Sequence, residues 1–144
     1  MLEVNFYYNV ADELLKFAVI ISKTNGKSIF CKHKERDTYE LPGGHRELGE
    51  SINHTAKREL AEETGAIEFD IKPICVYSVK GKTRVNENDN EETFGMLYIA
   101  DVFSFEGLSS EIENILITDT LVKNWTYPLI QPKLIAEAKD RGFI

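Results

Sequence analysis

Between Gly43 and Ala66 the chain reads Gly-Gly-His-Arg-Glu-Leu-Gly-Glu-Ser-Ile-Asn-His-Thr-Ala-Lys-Arg-Glu-Leu-Ala-Glu-Glu-Thr-Gly-Ala, a segment whose carboxylates a helix would gather into a cluster. A helical residue turns about 100°, so with Glu59 at zero, Ile52 falls at about 20°, Ala56 at about 60° and Leu60 at about 100°. These three make the only apolar stripe. Glu63 falls at about 40°, inside that stripe, and Glu62 at about −60°, on its shoulder. Asn53, His54, Lys57 and Ala61 are assigned to the solvent side. Glu59 and Glu63 therefore share the sector that faces the protein. Burying two carboxylates without compensation is costly, or it raises their pKa values until they neutralise. Arg58, another basic side chain or a cation could compensate. Glu59, Glu62 and Glu63 at i, i+3 and i+4 offer the hard oxygen ligands that Mg²⁺ or Mn²⁺ prefers. No Cys or His cluster points to zinc.

Glu50 lies nine residues before Glu59, on the opposite side of an extended helix, so it joins the cluster only from a preceding loop. Its alternative role is favourable charge at the helix N-terminus. Gly43, Gly44 and Gly49 let that loop approach a ligand closely, because no Cβ intervenes.

The elements that must position this segment can be read around it. Lys16 to Ser22 is a nearly continuous apolar run, expected as a central strand buried on both faces. Asn25-Gly26 signals a hairpin turn, with Ser28 to Lys32 as the returning strand. The helix is expected from Ser51 to Thr64 and stopped by Gly65. Ile74 to Val79, Met96 to Phe105 and Ile112 to Ile117 read as further strands. Asn86 to Glu92, acidic and Asn-rich, reads as a mobile loop. Pro132 suits the first turn of a last helix, Lys133 to Arg141, closed by Gly142. A strand core with helices packed on it gives a mixed α/β sandwich.

Composition sets the outer bounds. The 144 residues, 42% hydrophobic and 28% charged, suit one soluble domain spanning 1–144. Lys and Arg number 17 against 24 Asp and Glu, a net charge of −7, which argues against stable DNA binding and against an anionic membrane surface. A phosphate substrate stays compatible if cations offset the carboxylates. No apolar run approaches a membrane span and the first residues do not read as a signal peptide, so a cytoplasmic protein is expected. Cys31 and Cys75 sit in apolar, strand-like segments and are expected as reduced core thiols.

Gly44, five residues, Glu50, seven residues, then Arg58-Glu59-Leu60-Ala61-Glu62-Glu63-Thr64-Gly65-Ala66 resembles a complete Nudix box. The one departure is Ala66, where the family carries a bulkier aliphatic residue. Chance agreement at the fixed positions is on the order of 10⁻⁹ per start. The resemblance implies a Nudix α/β/α sandwich with a mixed β-sheet between helices. It also implies hydrolysis of a nucleoside diphosphate linked to another group, with Mg²⁺ or Mn²⁺. On these residues it implies that Glu59, Glu62, Glu63 and the Gly43 carbonyl hold metal, that Arg58 orients Glu59, and that Glu50 helps from the loop. The general base is either Glu59 or a later glutamate, for which Glu111 and Glu113 are the candidates, with Glu91 and Glu92 behind them; the alternative for each later residue is simple solvation.

Family subgroups are marked outside the box. The proline typical of ADP-ribose hydrolases and the tyrosine typical of dinucleoside polyphosphate hydrolases are missing around Lys80 to Arg84, and so is the upstream coenzyme A signature. By elimination the chain is most similar to MutT-like nucleoside triphosphate pyrophosphohydrolases, including those that act on oxidised purine triphosphates. Nucleotide-sugar or RNA 5′-end hydrolysis is the alternative, and a non-catalytic nucleotide-binding module is a second. Trp125, Tyr127 and Gln131 are candidates for contacting the base, with core packing as the alternative for the two aromatics. Lys80, Lys82 and Arg84 are read as one strand face that either meets phosphates or forms a solvated edge. The oligomeric state is expected to be a monomer or homodimer.

Overall fold

The computed structural model describes residues 2–106 and 112–144, the last segment beginning with backbone alone at 112–114. Its strands are β1 (Glu3–Tyr7), β2 (Leu15–Thr24), β3 (Lys27–His33), β4 (Gly43–His45), β5 (Ala66–Lys80), β6 (Glu92–Phe105) and β7 (Ile112–Thr118). The helices are α1 (Ile52–Thr64) and α2 (Gln131–Asp140), and a single 3-10 turn covers Asp12–Leu14. Among the described residues no helix is long and apolar enough to cross a membrane.

One mixed sheet runs in the order β1-β5-β6-β2-β3-β7, with β4 paired to β2 beside that path. β2 lies parallel to β6, and the other pairings are antiparallel. Because strand side chains alternate in direction, the apolar run of β2 feeds two cores at once. Ala18, Ile20, Ile29, Val76 and Tyr98 pack with Ile52, Ala56 and Leu60 of α1. Ile21, Phe30, Cys75, Tyr77 and Leu97 pack with Leu134, Ile135 and Ala138 of α2. The result is an α/β/α sandwich. Both cysteines are buried and free.

Local chemistry sets the boundaries. Asn25 and Gly26 have φ of 51° and 79°, the two positive values that a tight hairpin turn requires. Ser51 caps α1 by accepting from the His54 N–H at 3.1 Å. Gly65 closes the helix in the left-handed conformation at φ 77°. α2 starts at Gln131, two residues before the expected Lys133, with Pro132 in its first turn.

Two expectations change. β5 begins at Ala66 rather than Ile74, because the strand continues through Pro73 across a register shift between Pro73 and Cys75. A bulge of that kind tolerates a residue with no N–H to donate. β1 and the short β4 are strands where no strand was expected; each is defined by a distant partner, Val76 to Lys80 for β1 and Phe17 to Val19 for β4. The segment from Asn86 to Glu92, expected as a loop, is tied to the sheet at Asn86 while Glu87 to Asn90 are exposed. Asn86 is buried, and its Nδ2 donates to the carbonyls of Val79, Gly81 and Glu91 at 2.9–3.0 Å while its Oδ1 accepts from Thr93.

Candidate active site

α1 lies across the sheet with its carboxylate-bearing turn against β4. Glu63 is 6% exposed. One of its oxygens accepts from the Gly43 N–H at 2.7 Å, and the other lies 3.0 Å from His33 Nε2. Burial still raises the Glu63 pKa, although the His33 and Gly43 hydrogen bonds oppose that rise. Glu59 is half-buried beside Gly44. Loss of hydration, then the nearby Glu63 charge, pushes its pKa up to about 7. Glu62 is the most solvated of the three, more than half exposed, and reaches Arg58 at 3.4 Å. The solvent side holds as expected: Asn53, His54, Lys57 and Ala61 are exposed, though Asn53 also accepts from the Tyr98 hydroxyl.

Arg58 ties the helix to the loop before it. Its Nε donates to Glu50 at 2.6 Å, and its Nη2 donates to the other Glu50 oxygen at 3.0 Å and to the His45 carbonyl at 3.0 Å. Its Nη1 donates to Glu59 at 2.7 Å. The rigid fork of the guanidinium suits this two-point grip on a carboxylate. Arg58 thus links Glu59 on the helix to Glu50 in the loop. Glu50 lies in the loop before the helix, where Arg58, the Glu47 N–H and the Thr55 hydroxyl occupy it and hold its pKa down to about 2. It fixes the loop and Arg58. Arg46 anchors the same loop by donating to the Glu50 carbonyl and to Asp12.

A cavity of about 570 Å³ opens beside this cluster. Gly43, Gly44 and His45 of β4 form one part of its wall, while Tyr127, Ile130, Gln131 and Leu134 form another. Thr83 to Asn86 cover a side, so the loop pinned by Asn86 is part of the wall. Gln131 is buried and accepts from the Leu41 N–H at 2.8 Å. Trp125 packs edge-on against Phe30, ring centroids 5.4 Å apart and planes at 88°, and is absent from the cavity wall.

The basic trio separates. β5 ends at Lys80, Gly81 turns the chain at φ 119°, and only Arg84 of the three reaches the cavity. Lys80 instead lies between Glu3 and Glu92 in the strand register, and Lys82 is exposed in the loop. Glu111 lies outside the described residues, as does the Glu113 side chain. Glu92 is taken up by the hydroxyls of Tyr7 and Ser78.

Sequence reasoning passed over His33, Arg36 and Glu40. Glu40 is 6% exposed, receives Arg36 Nη1 at 2.9 Å, and sits 3.5 Å from His33 Nε2. The available signal was a lone carboxylate between apolar Tyr39 and Leu41, which folding had to bury beside a base.

The oxygen-only donor set suits a hard divalent cation. A Cβ at Gly44 would stand 2.5 Å from the Glu59 carboxyl carbon, so glycine keeps the space before that carboxylate open. Among the described residues no three Asp, Glu, His or Cys side chains form a metal cage by themselves. Backbone carbonyls, water and substrate phosphates would have to complete the shell, as is usual for Mg²⁺.

The family model of the NUDIX domain matches residues 13–129, which include the whole box and most of the cavity wall. The chain belongs to the Nudix family. A Bacillus subtilis Nudix relative, YtkD, provisionally named an 8-oxo-dGTP diphosphatase, is 34% identical over 91 residues. That alignment covers 63% of this chain and 52% of the relative, so the chain spans about half the length of the curated relative it matches. Among solved structures, an E68A mutant of the B. subtilis pyrophosphohydrolase BsRppH superimposes with a TM-score of 0.77 at 24% identity, covering 98% of this chain and 92% of that one. The NUDIX domain of Shewanella oneidensis NrtR, complexed with ADP ribose, superimposes with a TM-score of 0.64 at 17% identity, covering 88% and 87%. At these identities the structural likeness speaks for the fold.

Proposed function

We propose that this Nudix domain is a divalent-metal-dependent pyrophosphohydrolase acting on a purine nucleoside triphosphate, with oxidised purines such as 8-oxo-dGTP as the best substrates. The carrying observation is that Gly43 and Gly44, which line one part of the cavity, also stand against the Glu63 and Glu59 carboxylates, while its other part is aromatic, aliphatic and amide-bearing. A nucleotide laid along it would set phosphates by Gly43 and Gly44 and its base by Tyr127, Ile130 and Gln131. Glu59, Glu63 and the Gly43 carbonyl would hold Mg²⁺ or Mn²⁺, with Glu62 reaching in from the solvent side. The cation supplies positive charge against the phosphate oxygens and acidifies nearby water. Glu59, placed at the edge of the site by Arg58, would take the proton from the attacking water. Arg58 holds it in place. Water attack at an internal phosphorus releases the monophosphate and pyrophosphate.

The relationship to YtkD favours an oxidised purine triphosphate. The superposition on BsRppH, a pyrophosphohydrolase, over nearly the whole chain is compatible with a second reading, RNA 5′-end pyrophosphohydrolysis. A panel of 8-oxo-dGTP, dGTP, ATP, ADP-ribose and 5′-triphosphate RNA, compared by kcat/KM with Mg²⁺ and with EDTA as control, separates them. The proposal expects 8-oxo-dGTP to lead and chelator to abolish turnover. RNA in first place transfers the assignment to the second reading, and undiminished hydrolysis in EDTA refutes both.

A further inference from the structure

Glu63 is held from two directions. The Gly43 N–H takes one oxygen at 2.7 Å, and His33 Nε2 meets the other at 3.0 Å. The imidazole comes from the end of β3, a different element from the helix that carries Glu63. It is restrained in turn by Glu40, 3.5 Å from the same nitrogen, and Glu40 is fixed by Arg36 at 2.9 Å. A carboxylate oxygen has two lone pairs, so one bond to each oxygen leaves Glu63 able to face a cation with its plane already set. A buried carboxylate lacking the second restraint could rotate about its last torsion, and a cation would have to order it on binding.

We propose that His33 is a positioning residue that sets divalent-cation affinity by orienting Glu63, a proposal that rests on the metal-dependent reading above. Partners that hydrogen-bond a metal ligand typically change affinity by about 10–100-fold when removed. The effect belongs to metal binding.

The test is Mn²⁺ binding to the chelator-stripped protein, read as loss of the free-ion electron paramagnetic resonance signal. His33→Gln keeps an N–H donor at the position of Nε2, while His33→Ala removes it. His33→Leu removes the donor but retains bulk, which covers a failure of the alanine variant to fold. The expected result is Mn²⁺ binding weakened about 10–100-fold in the Ala or Leu variant and near wild type in the Gln variant. Metal-free melting temperatures should be similar throughout. Wild-type affinity in the Ala and Leu variants overturns the role of His33 alone. A Gln variant as weak as Ala also overturns it, because the donor would then be irrelevant. No Mn²⁺ binding by the wild-type protein removes the metal-dependent reading itself.

Discussion

Gly44 on β4 faces the Glu59 carboxylate so closely that a methyl group in place of its hydrogen would stand 2.5 Å from the carboxyl carbon. No positive φ is required at this position. The need for glycine here is imposed by the acid opposite.

Gly44→Ala therefore tests the site more than the fold. The added methyl can be relieved by moving the flexible end of the Glu59 side chain, so stability should change by less than about 1 kcal/mol. Displacing Glu59 by about an ångström should lower kcat roughly 10²-fold. Steady-state kinetics beside thermal melts would show the split. A loss of stability with normal kcat in the surviving folded protein would contradict it.

Protonation of the metal-free protein should follow two opposed trends. Glu59 is raised from 4.5 to about 7, so within that interval the folded state retains a proton that the unfolded chain has released. Stability then falls as pH rises from 4.5 towards 7, and the upward shift of Glu63 acts in the same sense. Glu50, lowered from 4.5 to about 2, contributes stability that is lost as pH falls through that lower interval. Denaturant midpoints of wild type and Glu59→Gln across both intervals should converge at the acid end and separate as pH approaches 7. Parallel curves would contradict the Glu59 assignment.

Asn86→Ala should destabilise by about 1–3 kcal/mol, because it removes a buried donor shared by three backbone carbonyls. The loop it holds supplies Thr83 to Asn86 to the cavity wall, so KM should rise more than kcat falls. An unchanged KM would separate that loop from nucleotide binding.

What could be read in advance follows from the range of the interactions involved. The helix, its Gly65 stop, the Asn25-Gly26 turn and the central strand declare themselves through spacing and local backbone chemistry. Glu59 and Glu63 could be assigned to the buried side because one helix positions both. The contact between His33 and Glu63 joins residues thirty positions apart, and no local pattern encodes it. Asn86 looked like loop composition because the carbonyls it satisfies are brought together only when β5 and β6 pair. Trp125 and Tyr127 are neighbours of similar chemistry. One packs on Phe30 and the other faces the cavity, a division no local pattern encodes.

The central claim is that Glu59 acts in metal-dependent hydrolysis, and kcat of Glu59→Gln on the best substrate with saturating Mg²⁺ tests it most directly. The amide keeps size and shape and can still accept from Arg58 Nη1, so the Ile52-Ala56-Leu60 packing should persist. With one like charge removed from a crowded cluster, metal-free stability should stay level or rise. The predicted result is a fall in kcat of about 10²–10⁴. A folded Glu59→Gln protein with near-normal kcat would contradict the account.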